Sequence, residues 1–149
     1  LIPAAIISDE ISTICNIPEI SDINSLEDIL SFLNITTKRA TESMIIDPTT
    51  MVNKAIPEEI SSKLRASYYF MGALLAKYKY VEMNFPGGCK IGTRPINYHL
   101  EGFKKLGATV TEKGNKYIKR LQKKQLCYIM LFAVEYGVVV ARRPLTPSV

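Results

Sequence analysis

The sequence predicts an α/β protein in which amphipathic helices alternate with short strands. Residues 60–78 place apolar side chains at helical spacing, and residues 80–85 alternate between apolar and polar side chains as a strand does. Residues 4–34 also resemble residues 72–107 weakly, which indicates two copies of one helix–strand–helix–strand unit. The length of 149 residues fits one domain with a sizeable core.

The first copy is predicted from residues 1–34. Residues 1–8 are apolar and are interpreted as the end of a helix, and residues 11–17 as a short strand. Ser25 is expected to cap a helix that runs to Leu33. Asn34 is expected to end that helix, because asparagine tolerates the left-handed backbone conformation.

The stretch between the copies predicts a strand at residues 44–46, a turn at Asp47-Pro48 and then a long helix. Pro57 is expected to start this helix, which would be the longest of the chain, with acidic side chains in a first turn where negative charge is favourable. Its apolar face is expected to be a buried stripe: Ile60, Leu64, Met71, Leu74, Leu75 and Tyr78.

The second copy begins within that helix. Residues 80–85 are predicted to be a strand, and residues 97–106 a second amphipathic helix that stops at Gly107. A β-hairpin about Gly114 and Asn115 is predicted to follow, because a glycine–asparagine pair between two strands favours a two-residue turn.

The two copies differ in one loop. Pro18 and Ile23 are five positions apart in the first copy, whereas Pro86 and Ile96 are ten apart in the second. The additional residues fall within residues 84–95, which contain three glycines and two prolines and therefore form a loop of specified shape. An insertion in only one copy of a repeated scaffold indicates that the inserted loop carries function.

Cys89 lies in the middle of this loop, beside Lys90 and near Arg94. Cationic neighbours lower the pKa of a thiol, and they would also hold an anionic substrate against it. The alternative interpretation is a tight turn with an inert cysteine, since free cysteines are most often buried. Cys15 and Cys127 are expected to be buried in a strand and in an apolar run, and to react more slowly than Cys89.

Several other kinds of site are disfavoured by the spacing of the residues. A phosphate-binding P-loop requires lysine where Thr93 stands. A metal site is not expected, because the three cysteines are scattered and His99 is the single histidine. The apolar run of residues 126–141 contains Glu135 and is shorter than the roughly 20 residues of a membrane span, so we expect a buried element and no membrane partner.

The net charge of +5 is distributed unevenly along the chain. Residues 1–62 carry ten acidic and three basic side chains, whereas residues 63–149 carry four acidic and sixteen basic ones. The positive half contains the cysteine loop, which suits an anionic small molecule. Residues 113–124 carry six basic side chains and no acid, and we interpret them as a solvated face and expect no nucleic-acid partner. Unpaired cysteines and the lack of a signal peptide predict a cytoplasmic location.

Four stretches of the chain together resemble one protein family. They are Arg65-Ala66-Ser67, residues 72–76, the loop from Pro86 to Pro95, and residues 99–108. The chain resembles the UDP-N-acetylglucosamine 1-carboxyvinyltransferase family of enolpyruvyl transferases over about residues 1–118. The sibling family that acts on shikimate phosphate resembles it in fold but lacks the cysteine loop.

The resemblance implies an inside-out α/β barrel built of repeated β-α-β-α-β-β units. It implies transfer of the enolpyruvyl group from phosphoenolpyruvate to the 3′-hydroxyl of UDP-N-acetylglucosamine, with loss of phosphate and no cofactor. This reaction is the first committed step of peptidoglycan synthesis, and fosfomycin alkylates the cysteine of the family. By position, Cys89 resembles the general acid, and the residues that resemble substrate contacts are Arg65, Arg94, Pro95, Ile96, Asn97 and Tyr98.

The chain departs from the family pattern in several places. The family's lysine–asparagine pair falls just before Leu1, Asn97 replaces an aspartate, and the second domain is missing. The resemblance therefore implies an amino-terminal fragment, with residues 1–119 a partial enolpyruvyl transferase domain and residues 120–149 its divergent tail. The alternative is a non-catalytic sugar-nucleotide-binding or interaction module. The apolar stripe of the long helix is expected to be only partly covered, with self-association as a consequence.

Overall fold

Each half of the chain contributes a three-stranded antiparallel sheet with helices packed against it. The structure is a computed structural model that describes residues 1–84, 96–113 and 116–121. The first unit consists of α1 (Ile2–Ala5), β1 (Ser12–Cys15), α2 (Ser21–Phe32), β2 (Thr36–Ala40) and β3 (Ser43–Asp47). A linking segment contains α3 (Glu58–Ser61) and a 3-10 helix (Arg65–Tyr68). The second unit consists of α4 (Tyr69–Tyr78), β4 (Tyr80–Asn84), α5 (Asn97–Lys105), β5 (Ala108–Lys113) and β6 (Lys116–Leu121).

The two units have the same topology, which confirms the repeat expected from the sequence. The strand orders are β1-β3-β2 and β4-β6-β5, so the last strand of each unit lies at the centre of its sheet. The second residue after α2 and the second residue after α5 both have a left-handed backbone, with φ of 63° at Asn34 and 85° at Gly107. The mixed helix and strand content also confirms the predicted α/β fold class, and closure of the barrel stays a prediction.

Strand β2 is an element that the sequence reasoning missed. Its residues, Thr36–Ala40, are mostly polar and mostly exposed, so no apolar alternation marks them as a strand. The strand forms because its backbone pairs with β3, from Thr36 opposite Asp47 to Ala40 opposite Ser43. The predicted hairpin of the second unit is confirmed by the pairing of β5 with β6, in which Lys113 lies opposite Lys116.

The predicted start of α2 is wrong. The helix begins at Ser21 after Ile20, whose backbone is extended, so Ser25 lies inside the helix and does not cap it. The Ser25 hydroxyl donates to the Ser21 carbonyl one turn earlier at 3.4 Å. The earlier start includes Ile23 in the helix, where its side chain is buried in the core.

The predicted long helix after Pro57 is also wrong, because the chain breaks between α3 and α4. Leu64 is extended, with φ of −137° and ψ of 131°, and a 3-10 helix follows it. The buried Ser67 hydroxyl donates to the carbonyl of Ser61 at 2.8 Å across this break. Serine side chains compete with helical hydrogen bonds in this way, and apolar spacing alone does not reveal the competition.

Helix α4 lies in a hydrophobic core that both units share. Its side chains are buried on most sides, and α1, β4 and β6 all contact it. The Lys77 ammonium at the end of α4 donates to the carbonyls of Ile6 and Ser8 at 2.9 and 3.0 Å, which ties α4 to the chain that follows α1. The expected partial exposure of the apolar stripe is wrong for four of its six members, since they are buried: Leu64, Met71, Leu74 and Leu75.

Replacement of Asn34 tests the left-handed turn after α2. Asn34→Ala should lower the free energy of unfolding by about 2 kcal/mol, because alanine is disfavoured in the left-handed region by roughly 1–2 kcal/mol. The variant also loses the 2.8 Å hydrogen bond from Asn34 Nδ2 to the Thr50 carbonyl, worth about 1 kcal/mol. Urea unfolding measures the change.

Asn34→Gly is the matched control, since glycine adopts the left-handed conformation freely and loses only the hydrogen bond. It should be clearly less destabilised than Asn34→Ala. Equal losses in the two variants would show that the backbone conformation contributes nothing.

Candidate functional site

The described residues that were predicted to bind substrate lie on two segments that the fold brings into contact. Arg65 starts the 3-10 helix before α4, and Ile96, Asn97 and Tyr98 lie at the start of α5. The rings of Tyr68 and His99 join these segments, with centroids 4.7 Å apart and planes tilted by 60°. The candidate site is therefore built where the 3-10 helix meets the start of α5.

The position of Arg65 depends on the break in the helix. The hydrogen bond from Ser67 to Ser61 fixes the chain on either side of the extended Leu64. Arg65 then starts a 3-10 turn, and its side chain is only half-buried. A continuous helix through this stretch would carry Arg65 in a different direction, so the break determines where its guanidinium lies.

The start of α5 offers backbone and side-chain groups to solvent. Ile96 is 6 % exposed and anchors the segment in the core, whereas Asn97 is exposed and Tyr98 is 79 % exposed. The first turn contains no acidic side chain, and no side chain in the described ranges caps it. The first N–H groups of a helix have no intrahelical partner and lie at the positive end of its dipole, which favours an anion there.

Two further contacts position the elements on either side of the site. Buried Asn84 ends β4, and both its backbone N–H and its side-chain amide donate to the Ile56 carbonyl at 3.2 Å. Helix α5 packs directly on the backbone of α4, because a Cβ atom at Gly72 would lie 3.7 Å from the Phe103 ring. The end of β4 and the start of α5 are thus both held by the core.

Tyr68 contacts the rings of both Tyr69 and His99 at the junction of the two segments. The pKa of its hydroxyl is raised to about 12, chiefly by burial and then by a hydrogen bond with Tyr69 and by the nearby Tyr69 hydroxyl, while the positive charge of Arg65 acts in the opposite direction. The Tyr69 ring lies 4.3 Å from the Tyr68 ring, centroid to centroid. Tyr68 therefore stays neutral at physiological pH and contributes packing and hydrogen bonding, without a negative charge that would repel an anionic ligand.

The predicted site residues fall into two groups. Arg65, Ile96, Asn97 and Tyr98 are placed as described above, and the burial of Ile96 means that its backbone is the part available to a ligand. The remaining predicted residues lie outside the described ranges: Cys89, Arg94 and Pro95. The sequence reasoning did not select Tyr68, although it comes one helical turn after Arg65, and noted His99 only as a single histidine and part of a resemblance.

The expected burial of Cys15 is wrong. Cys15 lies in β1 as predicted, but its side chain is exposed. The reason is that β1 is an edge strand of four residues, in which Ser12 and Ile14 are the more buried positions and Cys15 alternates with them. Burial therefore gives no reason to expect the Cys15 thiol to react slowly.

The described residues contain neither a metal-binding cluster nor a helix that could cross a membrane. In those ranges, no three His, Cys, Asp or Glu side chains come close enough to hold a metal ion. The helices over the same residues are too short or too polar to cross a membrane. The apolar run of residues 126–141, predicted to be a buried element, lies outside the described ranges.

Comparison with known proteins identifies the family. The family model of EPSP synthase (3-phosphoshikimate 1-carboxyvinyltransferase) matches residues 1–133, which extends beyond Ile118. The chain belongs to the EPSP synthase family. The resemblance to enolpyruvyl transferases found in the sequence is thereby confirmed, and the assignment of residues 120–149 as a divergent tail stays a prediction.

Individual relatives of this EPSP synthase family chain carry a more specific name. It is 39% identical over 140 residues to UDP-N-acetylglucosamine 1-carboxyvinyltransferase 2 of Bacillus subtilis, covering 94% of this chain and 33% of that protein. This chain is also 43% identical over 120 residues to the protein of the same name from Listeria monocytogenes serotype 4b. That match covers 80% of this chain and 28% of the Listeria protein. The chain thus spans about a third of the length of these curated relatives.

A solved structure supports the fold. The enolpyruvyl transferase NikO from Streptomyces tendae matches with a TM-score of 0.68 at 17% sequence identity. The match covers 82% of this chain and 27% of NikO. The helix and strand arrangement of this EPSP synthase family chain is therefore shared with an enolpyruvyl transferase.

The raised pKa of Tyr68 predicts a loss of stability at alkaline pH. Between the ordinary value of 10.0 and about 12, the unfolded chain has lost the Tyr68 proton while the folded chain keeps it. The contribution of Tyr68 is therefore complete below pH 10.0 and is lost as the pH rises toward 12. Tyr68→Phe should show a smaller fall in the free energy of unfolding between about pH 9 and pH 11 than the wild type, measured by urea unfolding.

Tyr98→Phe is the matched control, because Tyr98 is 79 % exposed. It should show the same fall as the wild type. If Tyr68→Phe and the wild type lose stability equally over this range, the Tyr68 hydroxyl does not titrate as its burial indicates.

Proposed function

We propose that the chain forms part of an enolpyruvyl transferase site that takes phosphoenolpyruvate and UDP-N-acetylglucosamine. In this reaction the 3′-hydroxyl of the sugar nucleotide acquires the enolpyruvyl group, and inorganic phosphate is released. The curated relatives are named for this transfer. The reaction is assigned to the cytoplasm and to the first committed step of peptidoglycan synthesis.

The observation that carries the proposal is the contact between the 3-10 helix and the start of α5. This contact places the half-buried cation of Arg65 on one side and exposed Asn97 and Tyr98 on the other. Both segments are ones for which the sequence predicts sugar-nucleotide contacts. Arginine suits the diphosphate of a sugar nucleotide, since its planar guanidinium binds phosphate oxygens in a bidentate fork.

The chemical step is assigned to Cys89 and Arg94. The Cys89 thiol would donate a proton to the methylene carbon of phosphoenolpyruvate as the sugar hydroxyl attacks the adjacent carbon. The proton of the sugar hydroxyl then leaves with the phosphate, and a methyl proton of the tetrahedral intermediate returns to the Cys89 thiolate, which forms the enol ether. Arg94 would bind the phosphate, and a thiol whose pKa is lowered by neighbouring cations suits proton transfer near neutral pH.

A second candidate function is sugar-nucleotide binding without catalysis. It is favoured by the nature of the described site, because Arg65, Asn97 and Tyr98 are predicted contacts of the sugar nucleotide. A phosphate-release assay with both substrates, together with calorimetry for UDP-N-acetylglucosamine alone, separates the two functions. Phosphate release that Cys89→Ser abolishes supports the transferase, binding without release supports the module, and neither signal would refute both.

Cys89 is predicted to be the most reactive thiol of the folded chain. The motivation is the pair of cations beside it, Lys90 and Arg94, which favour the thiolate. Alkylation by iodoacetamide at about pH 7, mapped by mass spectrometry, should label Cys89 before Cys15 or Cys127. Because Cys15 is exposed, faster labelling of Cys15 would show that the cations do not activate Cys89. Fosfomycin is expected to label Cys89 poorly.

Arg94 is predicted to contribute more to phosphoenolpyruvate binding than Lys90. Arginine forms a bidentate fork on phosphate or carboxylate, whereas lysine acts as a point charge. Arg94→Lys should weaken binding by about 1.5–3 kcal/mol, the value of one charge-assisted hydrogen bond, as measured by calorimetry. Lys90→Ala is the comparison variant, and a loss equal to that of Arg94→Lys would contradict the assignment.

A further inference from the structure

A ring contact between two distant parts of the sequence holds the two halves of the candidate site together. Tyr68 follows Arg65 on the 3-10 helix, and His99 follows Tyr98 on α5. The ring centroids lie 4.7 Å apart, within the range of favourable aromatic pairs. Neither residue belongs to the substrate contacts that the sequence predicts, yet each is within three positions of one.

Tyr68 is also held firmly on its own side of the contact. Ser67, the residue before Tyr68, is held by the hydrogen bond that its buried hydroxyl donates to the Ser61 carbonyl. The Tyr69 ring packs against the Tyr68 ring, with centroids 4.3 Å apart. Arg65 is close enough for its charge to act on the Tyr68 hydroxyl. Movement of the Tyr68 ring would therefore be coupled both to Arg65 and, through His99, to the start of α5.

On the other side, α5 is anchored in the core by three apolar side chains. Ile96 is buried before the helix, Leu100 is buried one turn later, and Phe103 packs on Gly72. Asn97 and Tyr98 lie between Ile96 and Leu100 and are exposed. Among the described ring contacts, that of His99 with Tyr68 is the one that ties this turn to the Arg65 segment.

We propose that Tyr68 is a positioning residue for the sugar nucleotide, acting through its ring contact with His99 to set the start of α5 relative to Arg65. The ring is the part that matters, and the hydroxyl group is dispensable for this role. The inference rests on the proposed function, because it takes the sugar nucleotide as the ligand that spans the two segments.

The single histidine of the chain supplies a direct observation of this contact. The imidazole proton signals in an NMR spectrum come from His99 alone, and their chemical shifts respond to the ring current of Tyr68. In Tyr68→Leu these signals should move, whereas in Tyr68→Phe they should stay near their wild-type positions because the ring is retained.

Binding of UDP-N-acetylglucosamine to the same full chains is then measured by calorimetry. Tyr68→Leu should bind about tenfold more weakly than the wild type, the size expected from loss of one aromatic pair. Tyr68→Phe should bind as the wild type does. Phenylalanine would also restore packing alone, so the result that identifies positioning is a loss of affinity in Tyr68→Leu that accompanies the shift of the His99 signals and that an equally destabilising variant elsewhere does not show.

Tyr78→Leu is the matched control for general destabilisation. Tyr78 lies at the end of α4, is also partly buried, and donates its hydroxyl to the Met51 carbonyl at 3.1 Å, away from His99. It should lower the melting temperature while leaving the His99 signals and the affinity unchanged. A loss of affinity equal to that of Tyr68→Leu would overturn the inference.

The remaining outcomes separate the inference from the proposed function. Wild-type affinity in Tyr68→Leu, or His99 signals that do not move in that variant, would overturn the positioning role and leave the proposed function standing. A loss in Tyr68→Phe as large as in Tyr68→Leu would also overturn it. A wild-type chain that does not bind UDP-N-acetylglucosamine would refute the proposed binding site, and the inference with it.

Discussion

Burial of α4 is the constraint on which the rest of the described structure depends. Nearly every side of this helix is apolar and covered, so it must lie inside the protein with both units around it: Phe70, Met71, Ala73, Leu74, Leu75 and Ala76. Full burial of one such large side chain contributes about 1.5–3 kcal/mol. The chain enters α4 through the break at Leu64, where the hydrogen bond from Ser67 to Ser61 joins the two sides. That entry fixes Tyr68 and Arg65 at the edge of the core, beside the start of α5.

The sequence predicted those parts of the fold that local patterns specify. Asn34 and Gly107 were correctly expected to end helices, since few residues accept a positive φ. The prediction from sequence failed where tertiary contacts override local preference. Strand β2 has no apolar pattern and exists because β3 pairs with it. The single long helix after Pro57 was wrong because the hydrogen bond from Ser67 to Ser61 is not visible in apolar spacing.

The site residues selected from the sequence stay a prediction, but their proximity can be compared with the fold. The resemblance to enolpyruvyl transferases selected Arg65 and the start of α5, and the fold brings the segments that carry them into contact. Tyr68 and His99 were missed because an aromatic contact across about 30 positions of sequence leaves no periodic signal. For Cys15, the secondary structure was predicted correctly but the burial of the side chain was not. Its exposure depends on its place at the edge of the sheet, which local sequence does not specify.

The repeat gives a reason why function is assigned to only one of the two units. The start of α2 is the counterpart of the start of α5, and it borders an open depression that contains a cation, Arg39. There, however, the guanidinium is bound by Glu27 at 2.6 Å and by Asn24 at 3.0 Å, and Asp22 lies in the first turn of the helix. These acids neutralise the positive charge that an anionic substrate would need. The first turn of α5 has no acid, and the loop inserted before it adds Lys90 and Arg94. The two copies of the scaffold thus differ in charge, since acids offset the cation at the start of α2 and none lies in the first turn of α5.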